Sequence, residues 1–342
     1  MPPDLWSLYG PMLRSRLFEE ATAKLWHDGR ISGELHLGTG EEAIVAGVVS
    51  QLRDGDAMAL DHRGTAALLM RGVDPVLILR EVLGRPDGLC GGRGGHMHLF
   101  SKEHLAASSG IVGASGPTGA GFGLAAQYLR PGTITVAFFG EGAMNQGMLM
   151  ESLNLAAAWQ LPVLFVCKDD DWSITTASEG LTGGELAERA RGLGVPVIKA
   201  DGLDVREVWG ACGPAIERAR AGDGPSFLHA RCVHFEGHFL GYQMLRAIRN
   251  PLKEIPKISG PLVRSFLHPR GAPLHERVAG LRTVIGAMLE TLRDPRRDPG
   301  NDPVQRARGA LLTEPERLQE LESRIEKEMS QVLASALEEV PA

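Results

Sequence analysis

The 342-residue sequence lacks the marks of several large classes of protein. It has no basic excess, since the formal net charge is −6, and this excludes non-specific nucleic-acid binding, which needs a basic surface to exchange for counterions. It has no apolar run near the roughly 20 residues that cross a bilayer. Its first residues show neither a basic segment followed by an apolar run nor a Ser- and Arg-rich amphipath. We therefore expect a cytoplasmic protein without a nucleic-acid partner or a membrane segment.

Cysteine is also scarce, and no two cysteines form a CxxC pair. The four residues are Cys90, Cys167, Cys212 and Cys232. Such scattered cysteines are typical of small buried apolar side chains, not of a disulfide framework or a zinc site.

Glycine, in contrast, is abundant: 43 of the 342 residues are glycine, against an ordinary share of about 7%. Sixteen of them lie between Gly84 and Gly147. A dense belt of glycine without low complexity predicts backbone that approaches something closely.

Two short apolar segments predict neighbouring buried strands. Residues 134–139 and 163–167 are apolar without alternation, which is typical of a parallel sheet covered on both faces. Residues 145–160 between them have helical periodicity, so the three segments predict a βαβ unit. A second helix–strand series over 185–232 extends the pattern. The expected fold is therefore α/β, a mainly parallel sheet with helices on both faces and a C-terminal helical extension.

The composition changes after residue 242. Residues 243–301 carry eleven Lys or Arg against five Asp or Glu, and they include a helical pattern over 274–292. Residues 302–342 predict a further amphipathic helix, with Thr313 as its N-cap and Pro315 in its first turn. We expect an α/β domain over 1–242, a basic, largely helical insertion over 243–301 and a C-terminal helical segment over 302–342.

Acidic residues follow both predicted strands of the βαβ unit. Glu141 stands between Gly140 and Gly142, and Asp170 follows it by 29 residues. Because the carboxyl ends of parallel strands meet at one edge of a sheet, the two carboxylates should lie together. Flanking glycines and a following helix N-terminus suit a phosphate, and carboxylates suit a divalent cation that bridges to it. The alternative is a glycine turn beside a solvated acidic loop.

This segment resembles the α subunit of thiamine-diphosphate-dependent 2-oxo acid and acetoin dehydrogenase complexes, their decarboxylating first component. The family's diphosphate motif is similar to the run from Gly140 to Gly147, and its second metal-binding segment is similar to Asp169-Asp170. The motifs HL…GEEA, HRG, GRGGxMHL, GIVGA and GH also occur in register. They lie at residues 36–43, 62–64, 92–99, 110–114 and 237–238.

The resemblance implies a thiamine-diphosphate-binding fold and a role for individual residues. His238 would act catalytically in proton handling, and Glu141, Asp170 and the Trp172 carbonyl would ligate Mg²⁺. The diphosphate and the aminopyrimidine ring would be held by His62, Arg63, Gly110, Val112, Gly142, Ala143 and His238. The resemblance also implies a β subunit in a two-α two-β heterotetramer, which would supply the activating glutamate, a small carbonyl substrate, and an acceptor such as a lipoyl-bearing acyltransferase.

Departures from the family pattern bear on the metal and the substrate. Glu141 replaces an aspartate and Asp170 an asparagine, so an additional anion lies near the diphosphate. Two unit charges about 4 Å apart repel by roughly 4 kcal/mol at an effective dielectric of 20, and we therefore expect a stricter metal dependence or a changed metal. Thr65 and Ala67 replace two histidines of the family pattern, one of which is a substrate-side residue in pyruvate-using relatives, and Glu34 replaces a phenylalanine. These changes favour a substrate other than pyruvate.

Three functions remain open at this stage. The first is the α chain of a dehydrogenase that cleaves a 2-oxo acid or acetoin and transfers the acyl unit. The second is a divergent subunit for another acyl-transfer or carboligation reaction, and the third is a non-catalytic scaffold. The basic insertion fits either packing on its own or a neighbouring subunit, or docking of an acidic partner such as a lipoyl domain or of a phosphorylated acceptor.

Overall fold

A computed structural model describes residues 3–174, 176–240, 271–293 and 298–338, with scattered positions between 256 and 268. Its centre is a seven-stranded sheet. The strands are β1 (Ala57–Leu60), β2 (Phe100–Ser101), β3 (Ala106–Ser108), β4 (Thr135–Gly140), β5 (Val163–Asp169), β8 (Val197–Ala200) and β9 (Ser226–Arg231). A separate two-stranded ribbon consists of β6 (Trp172–Ser173) and β7 (Thr176–Ala177).

The sheet has the strand order β2-β3-β1-β4-β5-β9-β8. All neighbouring strands are parallel except β2 and β3 at one edge. Every residue of β5 is buried, because a central parallel strand is covered on both faces and so carries apolar side chains at successive positions. The predicted mainly parallel α/β fold is confirmed.

Helices cover both faces of the sheet. They are α1 (Leu5–His27), α2 (Glu42–Val49), α3 (Thr65–Met70), α4 (Pro75–Val82), α5 (Ser115–Leu129), α6 (Gly147–Ala158), α7 (Leu186–Gly192) and α8 (Val205–Arg220). Val136 and Phe138 of β4 belong to one apolar core with α1, α2 and α8. Ala137 and Phe139, which point to the other face, belong to a second core with residues of α6 and α7.

Part of the glycine belt serves packing between α5 and the sheet. A Cβ atom at Gly119 would lie 2.8 Å from the Ala137 Cβ, and one at Gly123 would lie 2.5 Å from the Val163 Cγ2. Helix α5 therefore approaches the sheet more closely than any side chain at these positions would permit. At these two positions the close approach predicted for the belt is to the sheet itself, and a ligand role for other glycines of the belt stays a prediction.

The C-terminal helices α10 (Pro303–Leu311) and α11 (Pro315–Leu337) pack against α1. Glu314, not Thr313, is the N-cap of α11, so that prediction is wrong, although Pro315 does occupy the first turn. A helix α9 (Leu274–Arg293) lies where the periodicity predicted one. Much of 243–301 falls outside the described residues, and the division at 242 and 301 stays a prediction.

No helix within the described part of the chain combines the length and apolar character that crossing a membrane requires.

Candidate active site

The carboxyl ends of β4 and β5 bring two acidic side chains together. The strands are parallel neighbours with Gly140 opposite Lys168, so Glu141 and Asp170, the residues that follow each strand, leave the same edge of the sheet. Glu141 is buried, and the Asp170 side chain is 12% exposed. The juxtaposition expected from the sequence is present.

The Glu141 carboxylate lies in an unfavourable place for a negative charge. Burial raises its pKa, and the charge of Asp170 raises it further. The Ser173 hydroxyl donates a hydrogen bond to Glu141 Oε1 at 2.8 Å. Two buried carboxyl groups that repel one another are hard oxygen donors of the type that a divalent cation requires.

His234 holds the second of these carboxylates. Its Nδ1 lies 2.7 Å from Asp170 Oδ2, and its Nε2 lies 2.8 Å from Glu41 Oε1. Carboxylates accept hydrogen bonds, so an imidazolium with a hydrogen on each nitrogen satisfies both contacts. Although burial and Arg63 oppose the charge, Asp170 and Glu41 raise the pKa of His234. No motif in the sequence marks His234, so its place in the site was not predicted.

A buried lysine continues this network. Lys168 Nζ lies 2.5 Å from Glu41 Oε2 and 3.0 Å from Asp61 Oδ2, and the lysine side chain is 2% exposed. Asp61 in turn accepts a hydrogen bond from the Arg63 backbone N–H at 3.1 Å. The available signal for Lys168 was a charged residue directly after the apolar run at residues 163–167. Asp169, the residue directly before Asp170, has a different partner: its Oδ2 lies 2.6 Å from His229 Nε2.

Arg63 connects two loops of the site. Its guanidinium is buried, and it donates hydrogen bonds to the Leu37 carbonyl and, at 2.6 Å, to the His238 carbonyl. Its Nε lies 3.7 Å from Glu41 Oε1. These contacts fix the position of the loop that carries His238 relative to the loop before α2.

Imidazole rings gather beside Arg63. The ring centroids of His36 and His62 are 4.8 Å apart, those of His36 and His238 are 5.0 Å apart, and those of His62 and His238 are 5.4 Å apart. His96 extends the group, since its Nε2 lies 2.9 Å from His36 Nδ1. Burial, reinforced by the Arg63 charge, lowers the pKa of His36 to about 2 and those of His96 and His238 to about 4. These rings are therefore neutral at pH 7.

The residues predicted to hold the cofactor through their backbone differ in their surroundings. Gly110 approaches Met97 so closely that an added Cβ would lie 3.0 Å from the sulfur, and Val112 two residues later is 52% exposed. A Cβ at Gly142 would lie 2.5 Å from the Ser173 hydroxyl, whereas Ala143 is buried in the 3₁₀ helix after β4.

Trp172 stands beside strained backbone. Asp171 and Ile174, which flank the ribbon strand β6, have positive φ angles of 59° and 54°, a conformation uncommon for non-glycine residues and rare for a β-branched one. The Trp172 indole donates a hydrogen bond to the Ile174 carbonyl at 3.1 Å. The turn after Asp170 is thereby held in a defined shape.

Comparison with known proteins places the chain in a family. Residues 10–248 match the family model described as "Dehydrogenase E1 component". The alpha subunit of acetoin:2,6-dichlorophenolindophenol oxidoreductase from Cupriavidus necator is 41% identical over 239 residues, which are 69% of this chain and 72% of that protein. The pyruvate dehydrogenase E1 component subunit alpha from Zymomonas mobilis is 35% identical over 280 residues, covering 80% and 79%.

A solved transketolase from Campylobacter jejuni is similar at a TM-score of 0.48 with 17% identity, over 65% of this chain and 37% of the other. The family match and the two alpha subunits agree with the motifs at residues 36–43, 62–64, 110–114 and 140–147. The resemblance inferred from those motifs is confirmed, and the chain belongs to the dehydrogenase E1 component family.

Proposed function

We propose that this chain is the α subunit of a thiamine-diphosphate-dependent dehydrogenase, which cleaves a 2-oxo acid or acetoin and passes the acyl unit to an acceptor. The observation that supports this most directly is the pair of carboxyl groups of the buried Glu141 and the largely buried Asp170, at the ends of adjacent parallel strands within the family-matched region. The alpha subunits that are 41% and 35% identical support the same class of reaction.

The residues present fit the cofactor and a magnesium ion. The buried, mutually repelling oxygens of Glu141 and Asp170 form a hard donor set that a cation would neutralise, and the Trp172 carbonyl follows in a constrained turn. Gly142 and Ala143 stand at the start of the 3₁₀ helix, where backbone N–H groups are free to face a phosphate. Thiamine diphosphate, when bound, supplies a nucleophilic carbon and an electron sink for C–C cleavage.

The chain's own residues would orient the substrate and move protons. His238 is neutral at pH 7, because burial and Arg63 lower its pKa to about 4, and a neutral imidazole accepts a proton or a hydrogen bond from a substrate hydroxyl. Arg63 keeps the His238 loop in place by donating a hydrogen bond to the His238 carbonyl. It also adds positive charge beside the position expected for the diphosphate. His62 lies alongside His238 in the same cluster.

A second chain is part of the proposal. The apolar side chains of Ile111 and Val112, in the segment expected to hold the aminopyrimidine, are 62% and 52% exposed, and exposed apolar groups beside a ligand site suit coverage by a partner. We assign that cover to a β subunit in a two-α two-β heterotetramer. A lipoyl-bearing acyltransferase is the acceptor most consistent with the family.

The test is reconstitution with the β chain. The purified complex should bind thiamine diphosphate in calorimetry only when Mg²⁺ is present, and it should reduce an artificial electron acceptor with acetoin, pyruvate or a branched 2-oxo acid. Glu141→Gln should abolish cofactor binding, whereas Glu179→Gln, in the exposed 3₁₀ turn nearby, should not. Equal binding in the presence of chelator would contradict the metal site. Bound cofactor without turnover of any substrate would contradict the dehydrogenase reaction.

A further inference from the structure

Three of the histidines form a ready set of nitrogen ligands. The ring nitrogens that His36, His62 and His238 offer all lie within 4.8 Å of one another. The residues come from three separate segments, the loop before α2, the loop after β1 and the loop after β9, and Arg63 fixes two of these segments to each other. The cluster is therefore held by the fold and not by local sequence.

The electronic state of the rings suits a metal. Burial, with the Arg63 charge in addition, lowers the pKa of each of the three imidazoles, so that their lone pairs are available at neutral pH. His62 Nε2 is buried without a hydrogen-bond partner among the described residues, and such an orphaned polar atom is costly. His96 Nε2 contacts His36 Nδ1. In metal sites, an outer hydrogen-bond partner of this kind orients the imidazole that binds the metal.

We propose that His36, His62 and His238 bind Zn²⁺, with a fourth position open to water. Zinc binds histidine nitrogen at about 2.0–2.1 Å in tetrahedral geometry, which places neighbouring ligand atoms roughly 3.4 Å apart. Each nitrogen would move by less than about 1 Å to reach that spacing. The positive charge of Arg63 nearby repels the ion. Glu41 Oε1, which lies 3.7 Å from Arg63 Nε, offsets part of that charge.

This zinc site differs in chemistry from the carboxylate pair. Imidazole nitrogen suits zinc and other transition metals, whereas carboxylate and carbonyl oxygen suit Mg²⁺. A second group in the described part of the chain, Glu41, Cys232 and His234, has the same compact spacing. Its Glu41 already contacts Lys168 and both nitrogens of its His234 contact carboxylates. That group is therefore engaged, whereas in the three-histidine cluster His62 Nε2 has no hydrogen-bond partner among the described residues.

The test is a titration of the metal-free full chain with Co²⁺, whose visible absorption reports tetrahedral nitrogen ligands, followed by displacement with Zn²⁺. We expect the tetrahedral spectrum to saturate at one equivalent. His36→Gln, His62→Gln and His238→Gln should each weaken binding at least tenfold, since loss of an outer partner alone costs about 10- to 100-fold. The exposed His27→Gln and the buried Cys232→Ser should bind as the unaltered chain does.

Two results would overturn the proposal: no tetrahedral Co²⁺ spectrum, or binding that depends on Cys232 and not on the three histidines. X-ray absorption of the zinc-loaded, unaltered chain makes the test independent of variants that fail to fold. Three imidazole ligands are expected there, and a shell of carboxylate oxygen or sulfur would contradict the site.

One consequence rests on the proposed function. Because His62 and His238 are also assigned to the cofactor site, Zn²⁺ and thiamine diphosphate should exclude one another. Adding cofactor with Mg²⁺ to the Co²⁺-loaded complex with the β chain should therefore abolish the Co²⁺ spectrum. Simultaneous binding of both would disprove exclusion and leave the zinc site intact. Failure of the cofactor to bind the zinc-free complex with its β chain would instead contradict the proposed function.

Discussion

At the scale of single residues, the site is a set of buried charges that depend on one another. Glu41 contacts both Lys168 and His234, and His234 contacts Asp170. A charge buried without a partner costs several kcal/mol, whereas a paired and hydrogen-bonded one is tolerated. The expected metal site therefore rests on residues that do not touch the metal.

Replacing the buried lysine should show this dependence. Lys168→Met leaves Glu41 and Asp61 without their shared cation, so the free energy of unfolding should fall by about 3–5 kcal/mol. Lys24→Met, which removes an exposed pair with Asp28, should cost under about 1 kcal/mol. Urea denaturation of both variants provides the measurement, and equal losses would show that the buried network contributes little to stability.

The buried carboxyl group of Glu19 should make the stability of the fold depend on pH. Burial raises the pKa of Glu19 from 4.5 to about 8. The folded chain thus binds this proton more tightly than the unfolded chain does, and the associated stability is lost as the pH rises from about 4.5 to 8.

Glu19→Gln keeps a neutral side chain of similar shape at every pH. Its melting temperature should rise relative to that of the unaltered chain between about pH 5 and pH 8. The exposed Glu320→Gln should show no such trend. Parallel melting curves for Glu19→Gln and the unaltered chain across this range would disprove the effect.

At the scale of secondary-structure elements, close packing of helices explains glycines that have no ligand role. In α2, a Cβ at Gly47 would lie 2.7 Å from the Val208 Cγ1 and 3.0 Å from the Trp209 backbone nitrogen of α8. The two helices therefore meet across a position without a side chain, in the same manner as α5 meets the sheet.

Alanine substitutions separate the two kinds of helical glycine. Gly47→Ala should destabilise the protein by about 1–3 kcal/mol through overpacking. Gly210→Ala in α8, where a Cβ meets no atom within 4 Å, should stabilise it by up to about 1 kcal/mol, because alanine favours the helix. Thermal denaturation of the two variants measures both effects, and a stabilising Gly47→Ala would contradict the close approach.

The elements that the sequence predicts well are those with a strong local pattern. The unbroken apolar runs of β4 and β5 predict buried parallel strands, and their ends place Glu141 and Asp170 together. The short β1, rich in alanine and methionine, carries no such pattern, and the four glycines inside α5 conceal a helix that tertiary packing enforces. Contacts between His36, His62, His96 and His238 depend on loop paths across some 200 residues and have no local signal.

At the scale of the whole molecule, the two ends of the described chain are joined. The Tyr9 hydroxyl donates a hydrogen bond to Glu322 Oε1 at 2.6 Å, and Arg14 pairs with Glu328 at 2.8 Å. Leu8 and Met12 of α1 share an apolar core with Leu318 of α11 and with residues of α10. The helices that follow the basic segment thus complete the core that α1 begins.

Removing one bond across this junction should lower global stability. Tyr9→Phe should cost about 1.5 kcal/mol, the low end for a hydrogen bond to a charged acceptor, because Arg308 still pairs with Glu322. Tyr128→Phe, at a side chain that is 77% exposed, should change stability by less than about 0.5 kcal/mol. Chemical denaturation of both variants tests the difference, and a Tyr9→Phe protein as stable as the unaltered one would show that this bond makes no net contribution.

The same junction has a consequence for synthesis of the chain. Tyr9 and its partner are 313 residues apart, so at a ribosomal rate of about 5–20 residues per second the apolar side of α1 waits roughly 15–60 s for α11 to emerge. During that interval the nascent chain presents the uncovered apolar side of α1, which is the kind of surface that chaperones bind. Demand for a chaperone during translation should therefore be governed by the arrival of α11.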